Sequence, residues 1–484
     1  MRVLSTAARR SGWAAAALAL GLALRLWLVG TYPFEAGDTP LYEALARSLV
    51  AHGSYSLEVD GQLLPVNVRM PGYPAFLAAS HALFGPGFQP VRVAQAVLDT
   101  LTCLLAGLVA GLLAPAERRR RAFLAGLWLA ALCPFCASYA SAILAETPGA
   151  FFTAAAVALL FAGLRRVEPS GRVDGRSAAW LTAAGVAAGF GCYFRPETPL
   201  VLVAAGLALA LRWRRPADWA RLARVGLALG AGLALALAPW VARNALVLGH
   251  PQLLPPMAAN LPGETSPVGF NAWTDTWLTT IPEIYEISFK VEDEPLEVAA
   301  LPAWACDSPE EKARVAELFA RHNKDFTLTP DLDGAFAQLA RERTARHPLR
   351  TWLLVPLRRV PTMWLSPRVD LLPFSGQLLP VASAWEDDPV DFSVSATLFA
   401  LNVVYLVLAA FGSWRASWRP GAAILLAWLL LRTALITRMP GPEPRYVVVC
   451  FPLLAALAAQ LWARGGPRAP AGAAPAGLRP HALV

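Results

Sequence analysis

Three acids in this chain share one local pattern: Asp38-Thr39-Pro40, Glu146-Thr147-Pro148 and Glu197-Thr198-Pro199. A positioned carboxylate can take the proton of an attacking hydroxyl, and several together can hold a divalent cation through hard oxygen ligands. The same pattern also has a plainer use, because Thr-Pro opens a helix well and a nearby acid offsets the positive helix end. Four arginines stand at comparable turns: Arg69 before Met70-Pro71-Gly72-Tyr73-Pro74, Arg195 beside Glu197, Arg243 after Pro239-Trp240, and Arg445 before Tyr446. Guanidinium groups stay charged and grip phosphate bidentately, although an arginine at a span end can also simply reach toward the headgroups. Gathered on one membrane face, these acids and arginines suit proton abstraction beside a phosphate leaving group.

The elements that must gather them are membrane helices. The 484 residues are 56% hydrophobic and only 16% charged, with a mean hydropathy of +0.45, which is too apolar for an ordinary soluble protein. Apolar runs give about ten spans within a range of 8 to 13, at 12–32, 91–114, 122–142, 149–164, 179–194, 199–213, 224–245, 394–413, 421–437 and 446–463. The fold class is therefore all-α integral membrane. Arginines dominate alternate short loops, notably Arg118 to Arg121, Arg165, Arg166, Arg212, Arg214 and Arg215. The positive-inside rule then sets both termini in the cytoplasm and the three acids on the outer face of a plasma (inner) membrane.

Four portions follow: 1–245 as a transmembrane module with a first outer loop at 33–90, 246–393 as an extracytoplasmic segment, 394–463 as C-terminal spans, and 464–484 as a disordered Pro/Ala/Gly-rich tail. Within the first loop, Thr39 caps a helix carrying Leu41, Ala44, Leu45 and Leu49 at helical spacing, and Gly53 stops it. In the second portion, Pro309 to Lys324 reads as an amphipathic helix. The stretch from His347-Pro348 through Trp352, Leu353, Arg358, Arg359 and Trp364 reads as an interfacial one, as does Pro74 to Phe84 with His81.

Several functions are excluded or weakened. The net charge of +8 resides in membrane-flanking loops, so nucleic acid is not the expected partner. Six cysteines lie mostly in apolar runs, and Cys133-Pro134-Phe135-Cys136 lacks a second ligand pair, so packing is the expected role. No phosphate-binding GxxxxGK[ST] loop occurs. An activated substrate must then arrive on the membrane, and a polyprenyl-phosphate sugar meets that demand. A secondary transporter would need repeated halves and mid-span charges. The deep charges read from the sequence are Arg25 and Arg432, while the acids fall at span ends.

Asp38 with Tyr42 four residues on, Arg69-x-Pro-Gly-Tyr73-Pro, Glu146 after the third span, Arg195-Pro-Glu197, Pro239-Trp240-x-x-Arg243-Asn244, His347-Pro348 and Arg445-Tyr446 together resemble the GT-C membrane glycosyltransferases. The branch they look like is the protein mannosyltransferase and aminoarabinose transferase group, over Gly12 to about Ala463. The resemblance implies a glycosyltransferase with Asp38 as the catalytic acid of the first loop and Glu146 as the second acidic position. It makes Arg69 the contact to the lipid phosphate, with Tyr73, Arg195, Glu197, Arg243 and Arg445 as further substrate-binding candidates. Many relatives have Asp-Glu in the first loop where this chain has Asp38-Thr39, which leaves the sugar and acceptor open. The implied partners are a polyprenyl-phosphate sugar donor, a lipid, protein or polysaccharide acceptor, and membrane lipids. A divalent cation is the one candidate cofactor. A polysaccharide polymerase or ligase using lipid-linked sugars is the rival enzyme reading.

Overall fold

In a computed structural model, residues 2–256, 265–292 and 294–463 are described; the tail expected to be disordered, 464–484, lies outside them. Helix α1 (Arg2–Thr31) is followed by α2 (Thr39–His52), the hairpin β1 (Ser56–Val59) and β2 (Gln62–Pro65), and α3 (Gly72–Phe84). The antiparallel hairpin pairs Leu57 with Leu64. Then come α4 (Gln89–Leu113), α5 (Arg119–Ala131), α6 (Pro134–Tyr139), α7 (Glu146–Ser170), α8 (Gly175–Phe194), α9 (Leu200–Arg212) and α10 (Pro216–Leu248). After a region of short helices, Pro389–Arg415, Arg419–Ile436 and the segment Pro444–Ala463 complete the bundle.

Eight of the described helices are long and apolar enough to cross a membrane, which makes this a multi-pass membrane protein. Two of the ten expected spans differ from expectation. The run 122–142 is not one helix: Pro134 cannot continue a helical ladder and forces Cys133 into extended backbone, so α5 ends and α6 starts afresh. The run 199–213 forms only the 13-residue α9. Both still connect the two ends of the bundle, because Arg119 starts one path and Ala142 bridges to Phe34 at its finish, while Arg212 pairs with Glu168 at the far end of α7.

At that far end the arginines serve the backbone. Arg165 donates to the carbonyls of Leu112 and Ala114, and Arg221 donates to Gly171. Close helix contact elsewhere relies on glycine: a Cβ at Gly185 would lie 2.1 Å from the Leu229 carbonyl oxygen, and one at Gly232 would lie 2.0 Å from that of Thr182. The pair therefore lets the α8 and α10 backbones touch.

The region between α10 and the last spans has its own core, built on Phe270, Trp273, Trp277, Phe319 and Phe336. It includes the expected amphipathic helix as Pro309–His322 and the expected interfacial one, whose Trp352, Leu353, Leu354 and Leu357 are exposed. Arg359 departs from the interfacial reading. It is fully buried, donates to the carbonyls of Leu278 and Thr437, and pairs with Asp275 at 3.0 Å.

The expectation that Arg25 and Arg432 are the only deep charges is also overturned. Asp99 in α4 sits 2.7 Å from Arg25 Nε, with both side chains buried, and Arg25 further donates to the carbonyls of Gly21 and Ala131. A charge at that depth needs such a partner, and the single Asp99 was hidden in an otherwise apolar run. Asp99→Ala leaves the Arg25 guanidinium unpaired and is expected to cost about 3–5 kcal/mol. Thermal unfolding of the purified variant in detergent should show a large fall in midpoint, and an unchanged midpoint would refute the pairing.

Candidate active site

The first loop is fastened to the segment ahead of α7 by backbone. Phe34 N–H donates to the Ser141 carbonyl, Ile143 N–H donates to Phe34, and Thr39 Oγ1 donates to the Ile143 carbonyl at 3.3 Å. Arg92 donates to Ser141 as well and pairs with Glu35 at 3.3 Å. These bonds set the start of α2 beside the start of α7. Helix α2 follows the sequence reading, ending at Gly53 with φ +62°, but Thr39 is its first residue and Asp38 occupies the cap position. The Asp38 carboxylate makes no capping bond. It faces Arg69 at 3.0 Å and Arg445 at 3.5 Å instead.

A second and drier set lies alongside. Arg195 donates to Glu146 at 3.0 Å and to Glu197 at 2.9 Å, and Glu197 also receives Arg432 at 2.9 Å. Space for Arg195 comes from Gly149, where a Cβ would stand 2.5 Å from Arg195 Cγ. Burial pushes the Glu197 carboxyl up, but the Arg195 and Arg432 charges outweigh it and hold it at about 2. Glu146 is 2% exposed, and its second oxygen, Oε2, has no hydrogen-bond partner among the described residues.

Tyr446 joins the two sets. Its ring has Arg195 and Arg445 each 5.1 Å from the centroid, and its hydroxyl donates to Glu443 at 3.2 Å. Arg445 pairs with Glu443 at 2.9 Å, and Asp370 lies within electrostatic reach of both. The arrangement is an acid-and-arginine cleft, open at Arg69, whose side chain is 45% exposed, and closed at Glu146.

Six of the eight residues singled out in the sequence come together here: Asp38, Glu146, Arg69, Arg195, Glu197 and Arg445. Tyr73 and Arg243 are placed differently. Tyr73 is buried against Tyr42 at a ring distance of 4.9 Å and donates to Gln95 at 2.8 Å. Arg243 donates to the carbonyls of Val66 and Tyr55 and to Asn244, fastening the hairpin to α10. Sequence reasoning missed Glu443, Tyr446, Arg432 and Asp370 as site members. Glu443-Pro444 was findable, since it repeats the acid-before-proline helix start without the threonine.

A divalent cation finds no cradle here. Among the described residues no group of three or more His, Cys, Asp or Glu is placed to hold a metal ion, and each of the three sequence-predicted acids is engaged by a guanidinium.

Residues 68–242 match the family model described as dolichyl-phosphate-mannose-protein mannosyltransferase. No curated protein matches the chain in sequence. The fold is similar to the Archaeoglobus fulgidus oligosaccharyltransferase in its apo form, with 15% identity and a TM-score of 0.50, covering 93% of this chain and 50% of that one. This chain thus spans about half the length of that enzyme. It is also similar to ArnT from Cupriavidus metallidurans bound to undecaprenyl phosphate, at 19% identity and TM-score 0.38, covering 93% of this chain and 78% of that one. The likeness to the oligosaccharyltransferase is one of fold, and residues 68–242 are similar to the mannosyltransferase family model.

Glu443 gives this site a pH signature. Burial raises its carboxyl from the ordinary 4.5 to about 6 despite Arg445 and the Tyr446 hydroxyl. The unfolded chain loses this proton near 4.5 and the folded chain near 6, so stability falls as pH rises across that window. Glu443→Gln removes the ionisation. It should stabilise the fold by about 2 kcal/mol above pH 6, with the difference vanishing below pH 4.5. Unfolding midpoints measured from pH 4 to 8 check this, and a pH-independent difference would contradict it.

Proposed function

We propose that this protein transfers a sugar from a polyprenyl-phosphate donor to an acceptor hydroxyl on the extracytoplasmic face of the plasma (inner) membrane, with inversion at the anomeric carbon. The observation that carries this reading is Asp38 held between Arg69 and Arg445 in the open part of the cleft, beside a family match whose description names a dolichyl-phosphate sugar. The face is argued from charge: the arginine-rich loops lie at the opposite end of the bundle, and that end belongs in the cytoplasm.

Arg69 and Arg445 bind the donor phosphate, exchanging one anion, the Asp38 carboxylate, for another. That exchange frees Asp38 to accept a hydrogen bond from the acceptor hydroxyl. As the acceptor oxygen bonds to the anomeric carbon, its proton passes to Asp38. The bond from that carbon to the phosphate oxygen breaks on the opposite face, and its electron pair leaves on the polyprenyl phosphate. The two guanidinium groups stabilise the charge that builds there. Glu146, with Oε2 unpartnered, orients the acceptor. Arg195, Glu197 and Arg432 fix that geometry, and Tyr73 and Arg243 support the loops around it. No step passes through a cation. The extracytoplasmic segment 246–393, between the modules 1–245 and 394–463, selects the acceptor, because variable regions on a fixed scaffold commonly carry specificity.

Asp38→Asn removes the base while keeping the size of the side chain, and turnover should fall about 10²–10⁴-fold. Mass spectrometry of membrane lipids from cells lacking the protein, complemented with wild type or with Asp38→Asn at equal abundance, reads this directly. Both the null and the variant should accumulate one polyprenyl-phosphate sugar that the wild type clears. A variant that clears it normally would reduce Asp38 to a helix-start residue and favour the polymerase or ligase reading.

A further inference from the structure

A second concavity lies in the region between α10 and the last spans, with no lining residue in common with the Asp38 cleft. Its volume is about 440 Å³, and its lining includes Trp277, Trp304, Arg346, His347, Arg350 and Arg358. Two features of that lining call for an acceptor oxygen. The Trp277 indole N–H and Arg350 Nε are buried donors without a hydrogen-bond partner among the described residues, and Trp277 is 1% exposed. A buried donor left in that state is costly, and an anionic oxygen satisfies it.

Charge points the same way. Among the described residues Arg343, Arg346 and Arg350 form their ion pairs with two acids, Asp307 and Glu311: Arg350 grips Asp307 at 2.6 and 2.9 Å, and Arg343 and Arg346 pair with Glu311. Glu342, held by Arg314, lies within electrostatic reach of Arg346, so four guanidinium groups share three carboxylates there. Arg358 is exposed and forms no ion pair among the described residues, so it adds a further positive charge.

The rim supplies the rest of a ligand's chemistry. Leu349 and Leu354 line the cavity, and with Trp352, Leu353 and Leu357 they form an exposed apolar strip on one short helical segment. Such a strip beside arginines is the pattern of a helix lying in the bilayer interface. From these observations we infer that the cavity is a phosphate-binding site whose ligand is the headgroup of an anionic amphiphile, with its acyl chains along the strip. The orphaned donors and the free cations take the phosphate oxygens. The site is independent of sugar transfer, and it ties the extracytoplasmic region to the membrane surface.

Native mass spectrometry of the full chain in detergent tests this with three probes: dioctanoyl phosphatidic acid, dioctanoyl phosphatidylcholine and inorganic phosphate. Phosphatidic acid should bind at least tenfold more tightly than phosphatidylcholine. Arg358→Gln, at an exposed position that should not disturb folding, should lose about tenfold, and Trp277→Phe should lose affinity while keeping the ring. Asp38→Asn should bind as wild type does, which separates this site from the transferase reading. Phosphatidic acid binding more tightly than inorganic phosphate identifies the source as a lipid headgroup, and the reverse order identifies it as free phosphate with the same oxygen chemistry. Arg358→Gln binding phosphatidic acid as well as wild type, or phosphatidylcholine binding equally, would overturn the assignment.

Discussion

The buried guanidinium of Arg195 is the interaction on which the rest of the structure depends. It compensates Glu146 at the start of α7 and Glu197 in the turn between α8 and α9, and it lies over the Tyr446 ring that opens the last span. Without it, two carboxylates would be left in a dry pocket, Glu197 with Arg432 and Glu146 with only the more distant Arg445 charge. Removing one partner of such a set leaves an uncompensated charge, typically worth several kcal/mol. Three separate passes of the chain are therefore locked in register by a single side chain, for which Gly149 leaves room. Rigid geometry around a reacting centre is what transfer chemistry requires, since the reacting atoms must be held close to their final alignment.

The contrast between the two halves of the site follows from water. Glu146 and Glu197 are enclosed and paired with buried arginines, so their charge is fixed and their geometry is stiff. Asp38 is 24% exposed and its partner Arg69 is 45% exposed, so that pair is screened and exchangeable. A ligand phosphate can compete for an exposed arginine at little cost, whereas it could not displace Glu197 from Arg195. The site thus combines a fixed ionic frame with one labile ion pair facing the entrance. Tyr446 transmits the position of one to the other, being flanked by Arg195 and Arg445.

The sequence made visible whatever depends on local chemistry. Helix α2 could be read from its apolar spacing and from Gly53, and the acids were visible because each sits beside a proline at a helix start. Long-range pairing was not readable. Arg432 appeared as a deep charge on an apolar span, and only the fold shows that it meets Glu197, 235 residues away in sequence. Asp99 escaped notice because one acid scarcely alters the hydropathy of a 25-residue helix. The break at Cys133-Pro134 was legible in principle, since proline punctuates a helix, but membrane helices often carry proline without breaking. Tyr73 looked like a site residue because it directly follows Pro71-Gly72 in the turn that Arg69 opens, yet its hydroxyl donates to Gln95.

Arginine content shows why pairing matters more than composition. Thirty-nine of the 42 basic residues are arginine, and most have local work. Arg165, Arg221 and Arg419 donate to main-chain carbonyls at or near helix ends, where four such groups lack an intrahelical partner and the dipole favours a cation. Arg243 does the same for the hairpin, although its place near the site and its Pro-Trp-x-x-Arg-Asn context made it look like an anion contact. An arginine already saturated by carbonyls has no donors left to offer a phosphate without losing structure. The guanidiniums able to take a new anion are those paired with an exposed, replaceable carboxylate, as Arg69 is, or left with unmatched charge, as around Arg358. By that criterion the Asp38 cleft and the cavity at Arg358 are two anion-ready places, and they differ in what lies beside the anion. One has the carboxylate that we propose as the proton acceptor. The other has an apolar strip beside its arginines, which suits the binding of an amphiphile.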